Sequence, residues 1–128
     1  MEKVAIVFRD LDVYQTSMQA AMDVRSLALS FPISERYSLT DQITRSSRSI
    51  CANIAEAWRK RRYQKAFIAA LNIAEGEASE TRVWLEFAMR CGYLDQDGFE
   101  LLDDRFDHIC RMLCRMIQTA DKWILSNN

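Results

Sequence analysis

Apolar residues recur along this chain at spacings of three and four, the period of helices that bury one face. The first such segment runs from about 11 to 30. One row reads Val13, Ser17, Ala20, Val24, Leu27, Phe31 and a second reads Leu11, Tyr14, Met18, Ala21/Met22, Ala28/Leu29. Together the rows cover more than half the circumference, whereas a surface helix in a monomer needs a stripe of about 100°. The excess predicts a second buried contact, against another subunit. Arg25 interrupts the second row and is expected to reach solvent or meet an acid there. Asp10 is the expected N-cap. Phe31-Pro32 closes the helix, because the residue before proline is pushed out of the helical region.

A second helix is predicted over about 40–61, capped by Ser38 or Thr40, with Ile43, Ser47, Ile50, Ile54 and Ala57/Trp58 inward. Arg45, Arg48 and Arg59 fall within about 60° of one another on its opposite side. A third helix, about 63–91, has a core row of Tyr63, Phe67, Leu71, Ala74, Ala78, Thr81, Leu85 and Ala88. It too carries a second row, with Ile73, Gly76, Trp84, Phe87 and Cys91, in which Glu80 falls. Mid-helix glycine costs about 1 kcal/mol against alanine, so Gly76 is expected where a neighbour approaches closely. Gly92 stops this helix and Asp95 starts a fourth, about 96–125. Its core stripe is Phe99, Leu102, Phe106, Ile109, Leu113, Ile117, Ala120 and Ile124, and Asp107 and Arg111 form an i,i+4 pair. Four amphipathic helices with short connections predict an all-α protein, an antiparallel up-and-down four-helix bundle in one domain over 1–128.

Composition agrees with long helices and few turns: 49% apolar, 27% charged, three glycines and one proline. No apolar run approaches the roughly 20 residues of a membrane span, and the opening MEKVAIVFRD does not read as a signal peptide. The four cysteines, Cys51, Cys91, Cys110 and Cys114, lie within helical patterns and are expected to be reduced, buried thiols of a cytoplasmic protein.

Candidate chemistry is sparse. His108 is the only histidine, and Arg105 stands three residues before it, so the Glu-x-x-His pair of helical di-iron sites is missing. Cys110 and Cys114 share a helix face but have no second ligand pair nearby, and the glycines are too dispersed for a phosphate loop. No catalytic residue, metal or cofactor is expected, and no enzyme. Charge distribution is what remains. Between 45 and 65 stand seven cations, Arg45, Arg48, Arg59, Lys60, Arg61, Arg62 and Lys65, against the single acid Glu56. Between 75 and 107 ten acids stand against three arginines. The net charge of −1 hides this asymmetry. The cations could neutralise the phosphates of RNA or DNA, or meet the acidic part of a neighbouring subunit.

Several segments resemble one known family: FRDLDVYQ (8–15), FPISERYSLTDQITRSSRSICANIAEA (31–57), the spaced Ala74, Gly76 and Glu80, and GYLD (92–95). Together they resemble the 23S rRNA intervening-sequence proteins, small bacterial four-helix bundles related to accessory proteins of diversity-generating retroelements. The resemblance runs from about Phe8 to Leu125 and implies the bundle fold, a ring-shaped homopentamer, and, from the related branch, nucleic-acid binding. It implies no enzymatic activity. Relatives carry glycine after N-I-A-E; Ala57 stands here, so the second helix is expected to continue through Trp58.

Joined together, these readings give a homo-oligomer, a pentamer, built through Tyr14, Met18, Met22 and Arg25 of the first helix and Ile73, Gly76, Glu80, Trp84 and Phe87 of the third. Arg25 is expected to pair with Glu80. The seven cations are the candidate nucleic-acid contacts; the alternative is a scaffold for a partner protein, with no nucleic-acid role.

Overall fold

The periodic segments form four helices: α1 (Asp12–Ala28), α2 (Leu39–Arg59), α3 (Gln64–Arg90) and α4 (Gln96–Gln118). Short 3-10 turns lie at Phe8–Asp10, Ile33–Glu35 and Ala120–Lys122. This computed structural model describes residues 4–125. Residues 1–3 and 126–128, parts of the expected apolar lead-in and of the expected domain, lie outside the described residues. Among the described residues there is no strand, and no helix is long and apolar enough to cross a membrane.

Each helix packs on its neighbours in sequence, and α1 also packs on α4, so α1 and α3 occupy opposite corners of a square. Pairing between helices fixes their sense. Across α3 and α4, Arg82 meets Asp103 while Ser79 meets Cys110, so numbers fall on one helix as they rise on the other. Across α1 and α4, Val13 lies near Met116 while Asp23 binds Arg105. Four residues join α2 to α3, and their Ser46–Thr81 bond lies far from that connection on both helices. Helices joined by so short a link can share their length only by reversing direction.

Fully buried Ile43, Ile50, Ile54, Phe67, Leu71, Leu85, Phe106, Ile109 and Leu113 form the centre of the core. All lie on expected core rows. Tyr63 does not follow its row: it is 66% exposed. It sits one residue before α3 with extended dihedrals, φ −126° and ψ 115°, so the helical period does not govern its direction.

Two of the helix starts differ from expectation. Asp10 does not cap α1; it lies inside a 3-10 turn and accepts from the amides of Ile6 (2.9 Å) and Val7 (3.0 Å). Ser38 precedes α2, yet its hydroxyl donates to Glu35 Oε1 (2.7 Å), which also accepts from the Leu39 amide (3.4 Å). Tyr93 donates to the other Glu35 oxygen at 2.9 Å, tying the α1–α2 and α3–α4 connections together. Hydrogen bonds from Ser38 and then Tyr93 hold the Glu35 carboxyl below its usual range. The same bond to Glu35 pushes the Tyr93 phenol up.

Other ends follow their local signals. Gly92 takes φ +81°, and the Tyr93 and Gly92 amides bond to the carbonyls of Ala88 (2.8 Å) and Met89 (3.0 Å), closing α3 with a Schellman motif. Asp95 caps α4 by accepting from the Gly98 amide at 2.7 Å. α2 continues past Ala57 and Trp58 to Arg59. α4 ends at Gln118, short of the expected 125. The chain instead turns so that Trp123 meets Trp58 edge-on (6.5 Å between centroids) and the Leu125 amide bonds to the Arg61 carbonyl (3.0 Å).

Among the described residues four polar ones are buried: Ser17, Ser46, Ser47 and Thr81. Ser46 and Thr81 share a 2.8 Å hydrogen bond between α2 and α3. Thr81→Val keeps the shape but leaves the Ser46 hydroxyl with only a 3.4 Å contact to the Ile43 carbonyl. We expect it to cost about 1–2 kcal/mol in urea unfolding, and Ser46→Ala added to it to recover part of that loss.

All four cysteines are free. Burial pushes the Cys51 thiol up to about 11 and raises that of Cys110. Cys91, expected to be buried, is exposed because it lies where α3 ends rather than on its packed length.

Candidate functional site

The cationic segment occupies the outer face of α2, the turn after it and the first residues of α3. Arg45, Arg48 and Arg59 are all exposed, and from Arg45 to Arg59 the row runs about 21 Å at the helical rise. Arg62 and Lys65 are also exposed, beyond the helix end.

The seven cations are not equivalent. Arg45 pairs with Glu80 of α3 at 3.3 Å, and Lys60 pairs with Glu56 one turn back at 2.9 Å. Arg61 is a structural residue. Its guanidinium lies over the Trp58 ring, 3.4 Å from the centroid, and its Nε donates to the Trp58 carbonyl at 2.8 Å. Burial lowers its pKa, and its own carbonyl anchors the C-terminal segment. That leaves Arg48, Arg59, Arg62 and Lys65 without an ion pair among the described residues. We expect Arg61→Ala to cost about 1–2 kcal/mol of stability through the lost stacking and hydrogen bond. Thermal unfolding would measure this; an unchanged midpoint would remove Arg61 from the structural set.

The second apolar rows are only partly covered among the described residues: Leu11, Ala21 and Ala28 are buried, but the larger side chains further along are not. Met18 and Met22 on α1 are 39% and 49% exposed, and Ile73 and Phe87 on α3 are each 52% exposed. Arg25 is exposed among the α1 residues. Gly76 has open space about it, so the neighbour expected at that glycine does not come from within the chain. Tyr14 is half-buried, its ring held edge-on by Phe8 at 5.1 Å. Trp84 is also half-buried; it packs on Phe87 (5.8 Å) and donates to Glu80 Oε1 (3.2 Å). Within the chain Glu80 is therefore held by Arg45 and Trp84, and Arg25 is not its partner.

Both exposed rows lie on the α2 side of their helices. On α3, Glu80 reaches α2, whereas Arg82 on the opposite flank binds Asp103 (2.8 and 3.1 Å) and Asp107 (3.1 Å) of α4. On α1, the flank opposite Met18 and Met22 carries Asp23, which binds Arg105 of α4. One side of the bundle thus presents apolar residues, the α2 cations, and apolar residues again.

Four of the ten acids between 75 and 107, Glu80, Glu86, Asp103 and Asp107, are ion-paired among the described residues. Asp103 and Asp107 hold Arg82, whose pKa rises mainly through the Asp103 hydrogen bond, and Glu86 holds Arg90 at 2.9 Å. These partners were invisible in sequence, being 21 to 35 residues apart where they cross helices. A second basic cluster was missed as well. His108, Arg111, Arg115 and Lys122 rim a groove between the start of α1 and the end of α4, floored by Leu11, Met112, Met116 and Trp123. The three, four and seven-residue steps of this cluster form a helical face, not a block of sequence, which is why a count along the chain passed over it. No three His, Cys, Asp or Glu side chains converge as a metal site among the described residues.

Residues 9–115 match the profile of the 23S rRNA-intervening sequence protein family. A solved structure with the same fold is that of a protein of unknown function from the S23 ribosomal protein family of Bacteroides thetaiotaomicron VPI-5482. It is 32% identical, with a TM-score of 0.75, and the match covers 83% of this chain and 98% of that one. No curated protein matches the chain. With most of its length in that profile and its bundle shared with that structure, the chain belongs to the 23S rRNA-intervening sequence protein family.

Proposed function

We propose that the protein is a non-enzymatic homo-oligomer, a ring of five subunits, that binds the backbone of RNA or DNA through the cations of α2 and the turn that follows. Four cations that are exposed and unpaired in one short stretch carry the reading. The Met18/Met22 row of one copy packs against the Ile73/Phe87 row of the next. These rows come from different helices, so the contact is head-to-tail, the kind of contact that builds a ring. Because both rows lean toward α2, closure turns α2 toward the ring axis and leaves α4 on the outer rim. Arg48, Arg59, Arg62 and Lys65 of every subunit then add to one continuous positive field. Both bonds made by Glu80 go to Oε1, leaving Oε2 for Arg25 of the neighbouring copy.

A binding titration against RNA and duplex DNA at several salt concentrations tests the nucleic-acid role. With four phosphates neutralised, log K for duplex DNA should fall with log salt at a slope of roughly −3.6 for each subunit engaged. Absence of binding in 50 mM salt, or binding without a salt slope, would instead favour a scaffold for a partner protein.

A further inference from the structure

The outward face of α4 carries a charge pattern that the ring does not use. Asp97, Leu101, Asp104, His108, Arg111 and Arg115 follow one another at steps of four, three, four, three and four, so they form a single seam along the helix. All six are exposed; Leu101 is 67% exposed. The seam changes sign at its middle, acidic before His108 and basic after it. Among the described residues Asp97, Asp104 and Arg115 have no ion pair, and Arg111 has only Asp107 of its own helix, at 3.2 Å.

A helix whose face is acidic in one half and basic in the other is complementary to itself when reversed. We propose that α4 is a second self-association surface, on which two copies of this chain pack antiparallel about a two-fold axis between Asp104 and His108. Reversal sets Asp97 of one copy against Arg115 of the other, Asp104 against His108, and Leu101 against the stem of Arg111. The two-fold repeats each pair, so every residue acts twice. The groove supplies the apolar part. It encloses about 780 Å³ between α1 and α4, and Leu101 of the second copy enters it over Met112, between Arg111 and Arg115.

The charge match identifies the occupant. A nucleic acid would be repelled by Asp97, Glu100 and Asp104, and an acidic protein by the same half of the seam. Only a partner with the opposite order of charge satisfies both halves, and this helix reversed has it. The contact joins copies at the outer rim, away from the α1 and α3 rows, so it stands or falls separately from the ring. Ion pairs this exposed are individually weak and screened by salt, so the association is expected in low salt and not in high.

The test uses chains in which the ring contact is disabled by Met22→Glu and Phe87→Glu, followed by sedimentation equilibrium in 50 mM and 500 mM salt. In that background the unmodified seam should give dimers in 50 mM salt and monomers in 500 mM. Arg111→Glu/Arg115→Glu makes both ends of the seam acidic and Asp97→Lys/Asp104→Lys makes both ends basic. Each alone should weaken dimerisation at least about tenfold, since like charges then face each other at both copies of the 97–115 pair. Mixing the two reversed chains should restore a dimer containing one of each. Monomers from the unmodified seam in 50 mM salt, dimers from either reversed chain alone at unchanged affinity, or a mixture of folded reversed chains that stays monomeric would each overturn the proposal. Circular dichroism of every variant separates these outcomes from misfolding.

Discussion

Met22→Glu together with Phe87→Glu is expected to convert the assembly into folded monomers in 500 mM salt. The two side chains are half exposed in the isolated chain, so glutamate there costs the protomer little. In the proposed contact both become buried. Each is already about half buried within the chain, so losing them removes about 1.5–3 kcal/mol of apolar burial at each interface, and two carboxylates must also be desolvated. The dissociation constant at each contact should therefore rise by at least about a thousandfold. Sedimentation velocity reads the result directly, and a variant that keeps the wild-type coefficient would place the subunit contact on another face. Thermal unfolding of the variant monomers checks that the bundle itself is intact.

Phe106→Ala has the largest expected effect on the fold. Phe106 is fully buried near the middle of α4 and lies on the seam that α4 packs against the other helices. Alanine removes its apolar burial and leaves a cavity that the surrounding close-packed side chains fill only in part. The expected loss is about 3–5 kcal/mol in denaturant unfolding, a large share of the total stability of a domain this size. Tyr63→Ala makes the contrast. Both aromatics lie on apolar rows in sequence, but Tyr63 is exposed and its loss should change stability by less than about 0.5 kcal/mol. Equal effects at the two sites would contradict the packing described above.

These two aromatics also mark where the sequence was informative. Inside a helix the period decides direction, so Phe67, Leu71, Ile109 and Leu113 could be assigned to the core from spacing alone. Tyr63 stands one residue outside the helix, where the period no longer applies. The same limit explains the caps. Asp95 and Gly92 act on backbone within a few residues of themselves, and both were legible. The cap of α2 was not, because Glu35 is held by Tyr93 of the α3–α4 connection, near in space but 58 residues away along the chain. C-terminal Ala120 and Ile124 continue the helical spacing of α4, yet a 3-10 turn brings them onto the core instead, stabilised by the Trp58–Trp123 contact.

For the candidate site, the sequence located the cations but could not rank them. Nothing local distinguishes Arg61 from Arg62, but one covers Trp58 and the other is exposed. Arg45 likewise loses part of its availability to Glu80, 35 residues distant. The excess apolar rows of α1 and α3 were legible for the opposite reason. They are properties of single helices, and Met18, Met22, Ile73 and Phe87 remain uncovered when the bundle is complete. That the two rows both flank α2 depends on which helix sits at which corner, and only the fold supplies it.

The ring is the central claim, because it sets the direction of α2 and the number of cations that act together. Light scattering coupled to size exclusion, at micromolar protein in 500 mM salt so that the α4 seam is screened, tests it most directly. The expected mass is about five times the 14.9 kDa of one chain. A particle of 14.9 kDa under those conditions would contradict it.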